Sequence, residues 1–222
     1  MCGRFSLIVD ASVLAGVFEI DPPRDLRPRF NIAPTQTIPI VRAGRERPRE
    51  WAAVRWGLVP SWAKDPKIGA RMINARGETV AEKPSFRSAV AKSRCLIPAD
   101  GFFEWAKTDG GKQPNYIHFN DGRVFAFAGL WERWSKGEGE PLDTCTIITT
   151  TPNALVAPLH DRMPVILPPK VFAEWLAPQP LAAARLQDLL VPCPTDGMDA
   201  YPVSTHVNKP ANDDPECIAR LR

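Results

Sequence analysis

No hydrophobic run among the 222 residues approaches the length of a membrane-spanning helix. The first residues, Met1-Cys2-Gly3-Arg4-Phe5, have no apolar stretch behind a basic start, so no secretory leader is expected. The default expectation is a cytosolic protein. Cysteines are few and widely spaced: Cys2, Cys95, Cys145, Cys193 and Cys217. An odd, scattered set suits reduced thiols better than a disulfide framework. There is no Cys-x-x-Cys and no close grouping of Cys with His, so neither a structural metal site nor any other cofactor is expected. Strong charge is also lacking. A net charge of +3 permits a nucleic-acid partner without demanding one. Internal repeats, low-complexity segments and a convincing linker are absent too.

Hydrophobic residues make up 44% of the chain and charged residues 24%, the balance of a globular protein. The length suits one substantial core, and a single domain over residues 1–222 is expected. The 24 prolines are scattered, which points to many ordered turns and short strands. Arginines crowd two stretches, Arg24, Arg27 and Arg29, then Arg42, Arg45, Arg47 and Arg49. Such runs usually mark solvated loops.

Alternation and β-branched residues predict strands over 4–9, 37–42, 52–58, 94–98, 102–107, 116–119, 124–131, 144–150 and 201–205. Helical pieces are predicted over 78–81, 86–91, 171–176 and 181–190, with one capped by Asp10 and running to Phe18. Asp109-Gly110-Gly111 and Asp121-Gly122 carry hairpin turn chemistry, and residues 136–141 read as a hairpin loop. The class is α+β, a mostly antiparallel sheet core with short peripheral helices.

Cys2 is the first candidate for chemistry. An aminopeptidase removes Met1 when the second residue is small, which would leave Cys2 with a free amine beside its thiol. The ordinary pKa values are about 8 for the amine and about 8.5 for the thiol, so both would be partly nucleophilic at neutral pH. A 1,2-aminothiol condenses with an aldehyde: the amine forms a Schiff base and the thiolate closes a five-membered thiazolidine. Glu104 sits among the aromatics of Phe102-Phe103-Glu104-Trp105; in apolar surroundings it becomes a general acid near neutrality, whereas simple alternation would leave it facing solvent. His160, in Leu159-His160-Asp161-Arg162-Met163-Pro164, could move protons or be structural. His118 lies in a strand and reads as structural, while His206 stays open between site and scaffold. Trp62 and the nearby basic residues are equipment for stacking bases and holding phosphates, against core packing, which suits Trp56 better.

Several segments recur in a recognisable order: Met1-Cys2-Gly3-Arg4-Phe5, Asn31-Ile32-Ala33-Pro34, Trp56-Gly57-Leu58-Val59-Pro60-Ser61-Trp62 and Ile73-Asn74-Ala75-Arg76-Gly77-Glu78-Thr79. Arg94 to Trp105, Phe127-Ala128-Gly129-Leu130-Trp131-Glu132 and Leu159 to Pro164 follow. Together they resemble the SRAP family (SOS response-associated peptidase). The resemblance implies an SRAP fold with a barrel-like sheet core. It implies a sensor that binds single-stranded DNA and cross-links covalently to abasic sites through a thiazolidine at Cys2, shielding the lesion in the DNA damage response. Cys2 would be the nucleophile, Glu104 the acid/base that helps open the sugar ring, His160 a proton carrier and Asn74 an orienting hydrogen-bond donor. Arg4 and Arg76 would hold phosphates, with Arg162 and Thr149 as further candidates, and Pro34 and Trp62 would stack on or wedge against bases. The partner would be abasic single-stranded DNA, bound without sequence preference and more weakly as salt rises. On DNA the protein would be nucleoid-associated; no membrane and no obligatory protein partner is implied. Two other readings use the same residues: a cysteine peptidase or amidohydrolase acting through Cys2, including self-cleavage of Met1, and a non-enzymatic single-stranded DNA binding module.

Overall fold

The computed structural model describes residues 2–44, 46–137 and 139–221; Met1 and Arg45 lie outside the described residues. In chain order the regular elements are β1 (Phe5–Leu7), α1 (Ala11–Phe18), β2 (Arg29–Ile32), β3 (Thr37–Ala43), β4 (Arg49–Trp56), β5 (Asn74–Arg76) and α2 (Arg87–Lys92). There follow β6 (Arg94–Ala99), β7 (Gly101–Thr108), β8 (Gly111–Phe119), β9 (Phe125–Trp134), β10 (Leu142–Thr150), β11 (Met163–Pro164) and β12 (Ile166–Leu167). The last are α3 (Phe172–Leu176), α4 (Ala183–Leu189) and β13 (Met198–Pro202). None of the helices among the described residues is long and apolar enough to cross a membrane.

Two sheets organise these strands. One runs β13-β8-β7-β1-β2 with antiparallel pairing throughout. In the other, β4, β3, β6 and β9 pair antiparallel in turn, and β10 bonds both ends of that path, β4 in parallel and β9 antiparallel. The path therefore closes into a barrel, which leaves no free edge along it. Short β5 and β11 also add to β10. The fold is the expected α+β class with a barrel-like core.

The two sheets share a core. Phe5 of β1 packs edge-on against Trp56 of β4 at 5.3 Å and Phe127 of β9 at 5.7 Å. A fully buried ring of this kind contributes roughly 2–3 kcal/mol. β1 is also tied by polar groups. Buried Asp100 accepts from Ser6 Oγ at 2.5 Å through one oxygen, and from the Ile8 and Val9 amides through the other. The Tyr116 hydroxyl lies 2.8 Å from the same Ser6 Oγ. Buried polar groups persist where each finds such partners.

Several expectations are corrected by the fold. Asp10 occupies the N-cap position of α1, but its side chain makes no capping hydrogen bond. Asp121-Gly122 does not close a hairpin; β8 and β9 belong to different sheets, so this turn carries the chain between them. The Asp109-Gly110 turn does join a hairpin, with Gly111 taking the positive φ of 123°. The last strand sits at Met198–Pro202, a few residues before the predicted one. The arginine runs are solvated loop only in part: Arg24, Arg27 and Arg47 are exposed outside the regular elements, whereas Arg29, Arg42 and Arg49 lie in strands. Arg42 of β3 pairs with Glu50 at 2.7 Å and lies over the Trp131 ring at 4.2 Å. Arg49 pairs with Glu19, and Arg29 with Asp213.

Gly101 opens β7 where a Cβ would lie 2.2 Å from the Tyr116 ring carbon Cζ and its hydroxyl. Gly101→Ala should therefore destabilise the protein by about 1–3 kcal/mol through overpacking. Urea unfolding checks this; an unchanged midpoint would mean that Tyr116 can move aside at no cost.

Candidate active site

β1 and β7 run side by side, with Phe5 opposite Phe102 and the Phe103 amide donating to the Arg4 carbonyl at 3.0 Å. That pairing brings the segment containing Cys2 next to the β7 residue Glu104. Cys2 is fully buried, and its thiol makes a weak 3.9 Å contact with the Arg4 carbonyl. Asn74, at the start of β5, donates from Nδ2 to the Cys2 carbonyl at 2.9 Å. Its Oδ1 is buried and meets no donor among the described residues. An amide with one committed end and one open acceptor can orient a further N–H or O–H.

Glu104 is 1% exposed, so the inward orientation holds, not the solvent-facing one. Alternation could not decide this, because Gly101, Phe102, Phe103 and Glu104 are all buried and both faces of β7 are covered here. Burial pushes the Glu104 carboxyl up to about 7. A carboxyl poised there can give and take protons near neutral pH. The Cys2 thiol is displaced further. Burial, and then the Glu104 charge, holds it far above the ordinary thiol range, so the near-neutral thiol expected from sequence is not what the folded chain presents.

His160 follows β10 in a tight turn. Its Nδ1 receives the Arg162 amide at 3.0 Å and lies 2.8 Å from an Asp161 carboxylate oxygen. A donor and an acceptor thus compete for one ring nitrogen, and the winner sets the tautomer. Burial lowers the His160 pKa, with Asp161 acting in the opposite direction. This favours the neutral imidazole, the form that can accept a proton.

The expected DNA contacts divide by how free they are. Arg76 is exposed and forms no ion pair among the described residues. Trp62 is 50% exposed, its indole N–H donating to the Pro84 carbonyl at 3.4 Å. Pro34 is half-buried in a turn whose next residue, Thr35, has φ 71°, a strained value for a β-branched side chain. Gln36 holds this turn, accepting from the Ala33 amide and from Arg29. Arg4 is engaged elsewhere: it donates to Asn31 Oδ1 and to the Val207 and Asn208 carbonyls. Arg162 is clasped by both oxygens of Glu78 at 2.6 and 2.8 Å and donates to the Thr149 carbonyl. Thr149 itself is fully buried. Sequence reasoning missed Glu78 and Asp161, although both stand inside the motifs it used; their role is to touch a site arginine and a site histidine, which spacing does not reveal.

A family model described as SOS response associated peptidase (SRAP) matches residues 1–210. Abasic site processing protein YoqW of Bacillus subtilis is 48% identical over 223 residues, covering 98% of this chain and 99% of that protein. Abasic site processing protein HMCES of Gallus gallus is 33% identical, over 88% of this chain and 67% of its own length. A solved structure of a protein from Bacteroides thetaiotaomicron superposes over the whole of both chains with a TM-score of 0.88 and 31% identity.

The raised pKa of Glu104 has a stability consequence. The folded state holds this proton more tightly than the unfolded chain, whose carboxyl titrates near 4.5. The associated stability is complete below that value and is lost as pH rises through about 7. Relative to Glu104→Gln, the wild type should lose about 3 kcal/mol between pH 4.5 and 8. Urea titrations of both proteins at the two pH values measure the difference, and a gap that does not change with pH would contradict it.

Proposed function

The chain belongs to the SRAP family, and on that premise we propose that it processes abasic sites, joining covalently to the exposed sugar in single-stranded DNA through Cys2. The observation that carries this reading is the pairing of Cys2 with a buried carboxyl. Glu104 titrates near 7, and Asn74 grips the Cys2 carbonyl at 2.9 Å.

The chemistry follows from these groups. Removal of Met1 turns the Cys2 nitrogen from an amide into an amine. Protonated Glu104 helps open the sugar hemiacetal, freeing the C1′ aldehyde. The Cys2 amine attacks C1′, and the resulting hydroxyl leaves as water with a proton from Glu104, giving a Schiff base. The thiol sulfur then bonds to the same carbon while its proton passes to a nearby base, Glu104 or His160. The net change is aldehyde plus aminothiol to thiazolidine plus one water. The high pKa of the buried thiol favours this order, in which the amine acts first and the sulfur closes the ring. Asn74 steadies the backbone of the nucleophile, and His160 exchanges protons in the forward and reverse directions.

Arg76 and Trp62 offer a phosphate contact and a stacking face without rearrangement. Arg4 contributes by fixing the segment that bears Cys2, and by the part of its guanidinium left open to DNA. Arg162 would reach a phosphate by exchanging one Glu78 oxygen for it, next to Thr149. Pro34 would meet the bases from its braced turn.

Incubation of the mature protein with single-stranded DNA carrying one abasic site should give a heat-stable shifted band. Cys2→Ala, and a tag placed before Cys2, should abolish the band while sparing reversible DNA binding. Glu104→Gln should slow its formation by roughly a hundredfold or more. The absence of a band alongside turnover of a peptide would replace this reading with a peptidase. Reversible binding untouched by Cys2→Ala, with no band in the wild type, would leave a simple DNA-binding module.

Removing one phosphate contact should weaken reversible binding without altering the chemistry. Arg76→Ala is expected to lower affinity for undamaged single-stranded DNA several-fold, with the cross-linking rate at saturating DNA unchanged. Filter binding and single-turnover cross-linking measure the two quantities separately.

A further inference from the structure

Far along the chain from the Cys2 site, two single turns of 3-10 helix, Thr205–Asn208 and Pro215–Ile218, bring together residues that sequence spacing kept apart. His206, Asp214 and Cys217 each aim one ligand atom into a common space, and these atoms lie within 4.8 Å of one another. Glu216 Oε2 stands 4.0 Å from His206 Nε2. We propose that His206, Asp214, Glu216 and Cys217 form a binding site for one divalent transition-metal ion, zinc by the preference of a sulfur, nitrogen and oxygen donor set.

Geometry supports the site first. Three atoms mutually within 4.8 Å always share a point no farther than about 2.8 Å (4.8/√3) from each. Zinc bonds to nitrogen, oxygen and sulfur measure about 2.0–2.3 Å, so closure by under one ångström per ligand brings these three into bonding range, with Glu216 beside them as the fourth. Each ligand is already aimed. The His206 Nδ1 lies 3.0 Å from the Asn212 side-chain amide, which leaves Nε2 pointing inward. Asp214 commits Oδ1 to the Glu216 amide at 3.0 Å and leaves Oδ2 toward His206, also at 3.0 Å. Cys217 is fully buried, and its thiol makes a weak contact of 3.5 Å to the Asn212 carbonyl. Asp214 and Glu216 are exposed at 47% and 67%, which gives an ion an entry path.

Electrostatics point the same way. Asp214 and Glu216 bring two carboxylates to the same place, 3.0 and 4.0 Å from His206 Nε2, beside the Cys217 thiol. A dication relieves that accumulation of negative charge and takes the thiol as thiolate. Binding would displace the hydrogen now shared between His206 Nε2 and Asp214. The neutral imidazole moves that proton to Nδ1, where the Asn212 amide turns its oxygen to accept it and gives up the bonds its Nδ2 now donates to Nδ1 and to the His206 carbonyl. The thiol proton goes to solvent, so one proton is released per ion when His206 starts neutral.

The ion would brace the back wall of the Cys2 site. The same loop supplies the Val207 and Asn208 carbonyls to Arg4, and Asn208 Oδ1 to the Trp105 indole at 2.8 Å. Its presence rests on no part of the DNA reading and can be tested without it.

Cobalt(II) is the probe, titrated into the full-length Cys2→Ala protein, because a free aminothiol at Cys2 would itself chelate the ion. One equivalent should give a near-ultraviolet thiolate-to-cobalt charge-transfer band, displaced by zinc, and zinc should raise the melting temperature. In that background, Cys217→Ser and His206→Ala should lose the band. Glu216→Gln, on the surface and harmless to folding by circular dichroism, should weaken cobalt binding roughly tenfold or more. The proposal is overturned by no band at excess cobalt, by a band that survives Cys217→Ser, or by affinity unchanged in Glu216→Gln and His206→Ala.

Discussion

The Asp100 carboxylate, buried where β6 hands over to β7, accepts from Ser6 and from the amides of Ile8 and Val9. It thereby fixes β1, only three residues long, against β7. Without this anchor the register of Phe5 opposite Phe102 would rest on two residue pairs alone. That register decides whether Cys2 lies beside Glu104, because a slip by one residue turns each side chain to the opposite face. Phe5 adds the apolar half of the same constraint by inserting between Trp56 and Phe127. Arg4 adds a third tie by gripping Asn31 and the loop at 207–208. The candidate site is thus the outcome of holding one short strand from three directions.

Holding it so firmly removes water, and water removal sets the chemistry. Glu104 and the Cys2 thiol both hold their protons more tightly than they would in solvent. His160, by contrast, holds one more loosely. Burial thus pushes the carboxyl and the imidazole in opposite senses, the arrangement in which one group can donate while the other receives. Arg162 fits this picture: its guanidinium is neutralised by Glu78 in the absence of DNA, so no uncompensated charge is left buried near the site.

Much of this was legible in the sequence. Long strands with strong β-branched or aromatic content, such as β9 and β10, were visible, and so was the α+β class. Three of the short strands were not. β5, β11 and β12 have two or three residues each and exist because β10 and β9 offer partners, a tertiary fact with no local signal. Part of the arginine runs misled for the same reason. Arg42 and Arg49 look like loop charges until Glu50, Glu19 and the Trp131 ring are placed around them. At the site, ordered motifs named Cys2, Asn74, Glu104 and His160, and the fold places Asn74 and Glu104 against Cys2. The same motifs could not show that Thr149 is buried or that Arg4 and Arg162 already have protein partners. Nor did spacing reveal the meeting of His206 with Cys217, which depends on two facing turns.

The complete burial of Cys2 bears on the order of events during synthesis. An aminopeptidase needs an extended, accessible end, and the folded chain encloses the residue that such an enzyme must expose. β7, which covers Cys2, ends at residue 108, about a hundred residues behind it. At roughly 5–20 residues per second, the ribosome takes on the order of ten seconds to supply that strand. Trimming of Met1, if it is the work of a separate enzyme, therefore belongs to this interval on the nascent chain. On the reading proposed above, a molecule that misses the interval folds around an amide and keeps only reversible DNA binding.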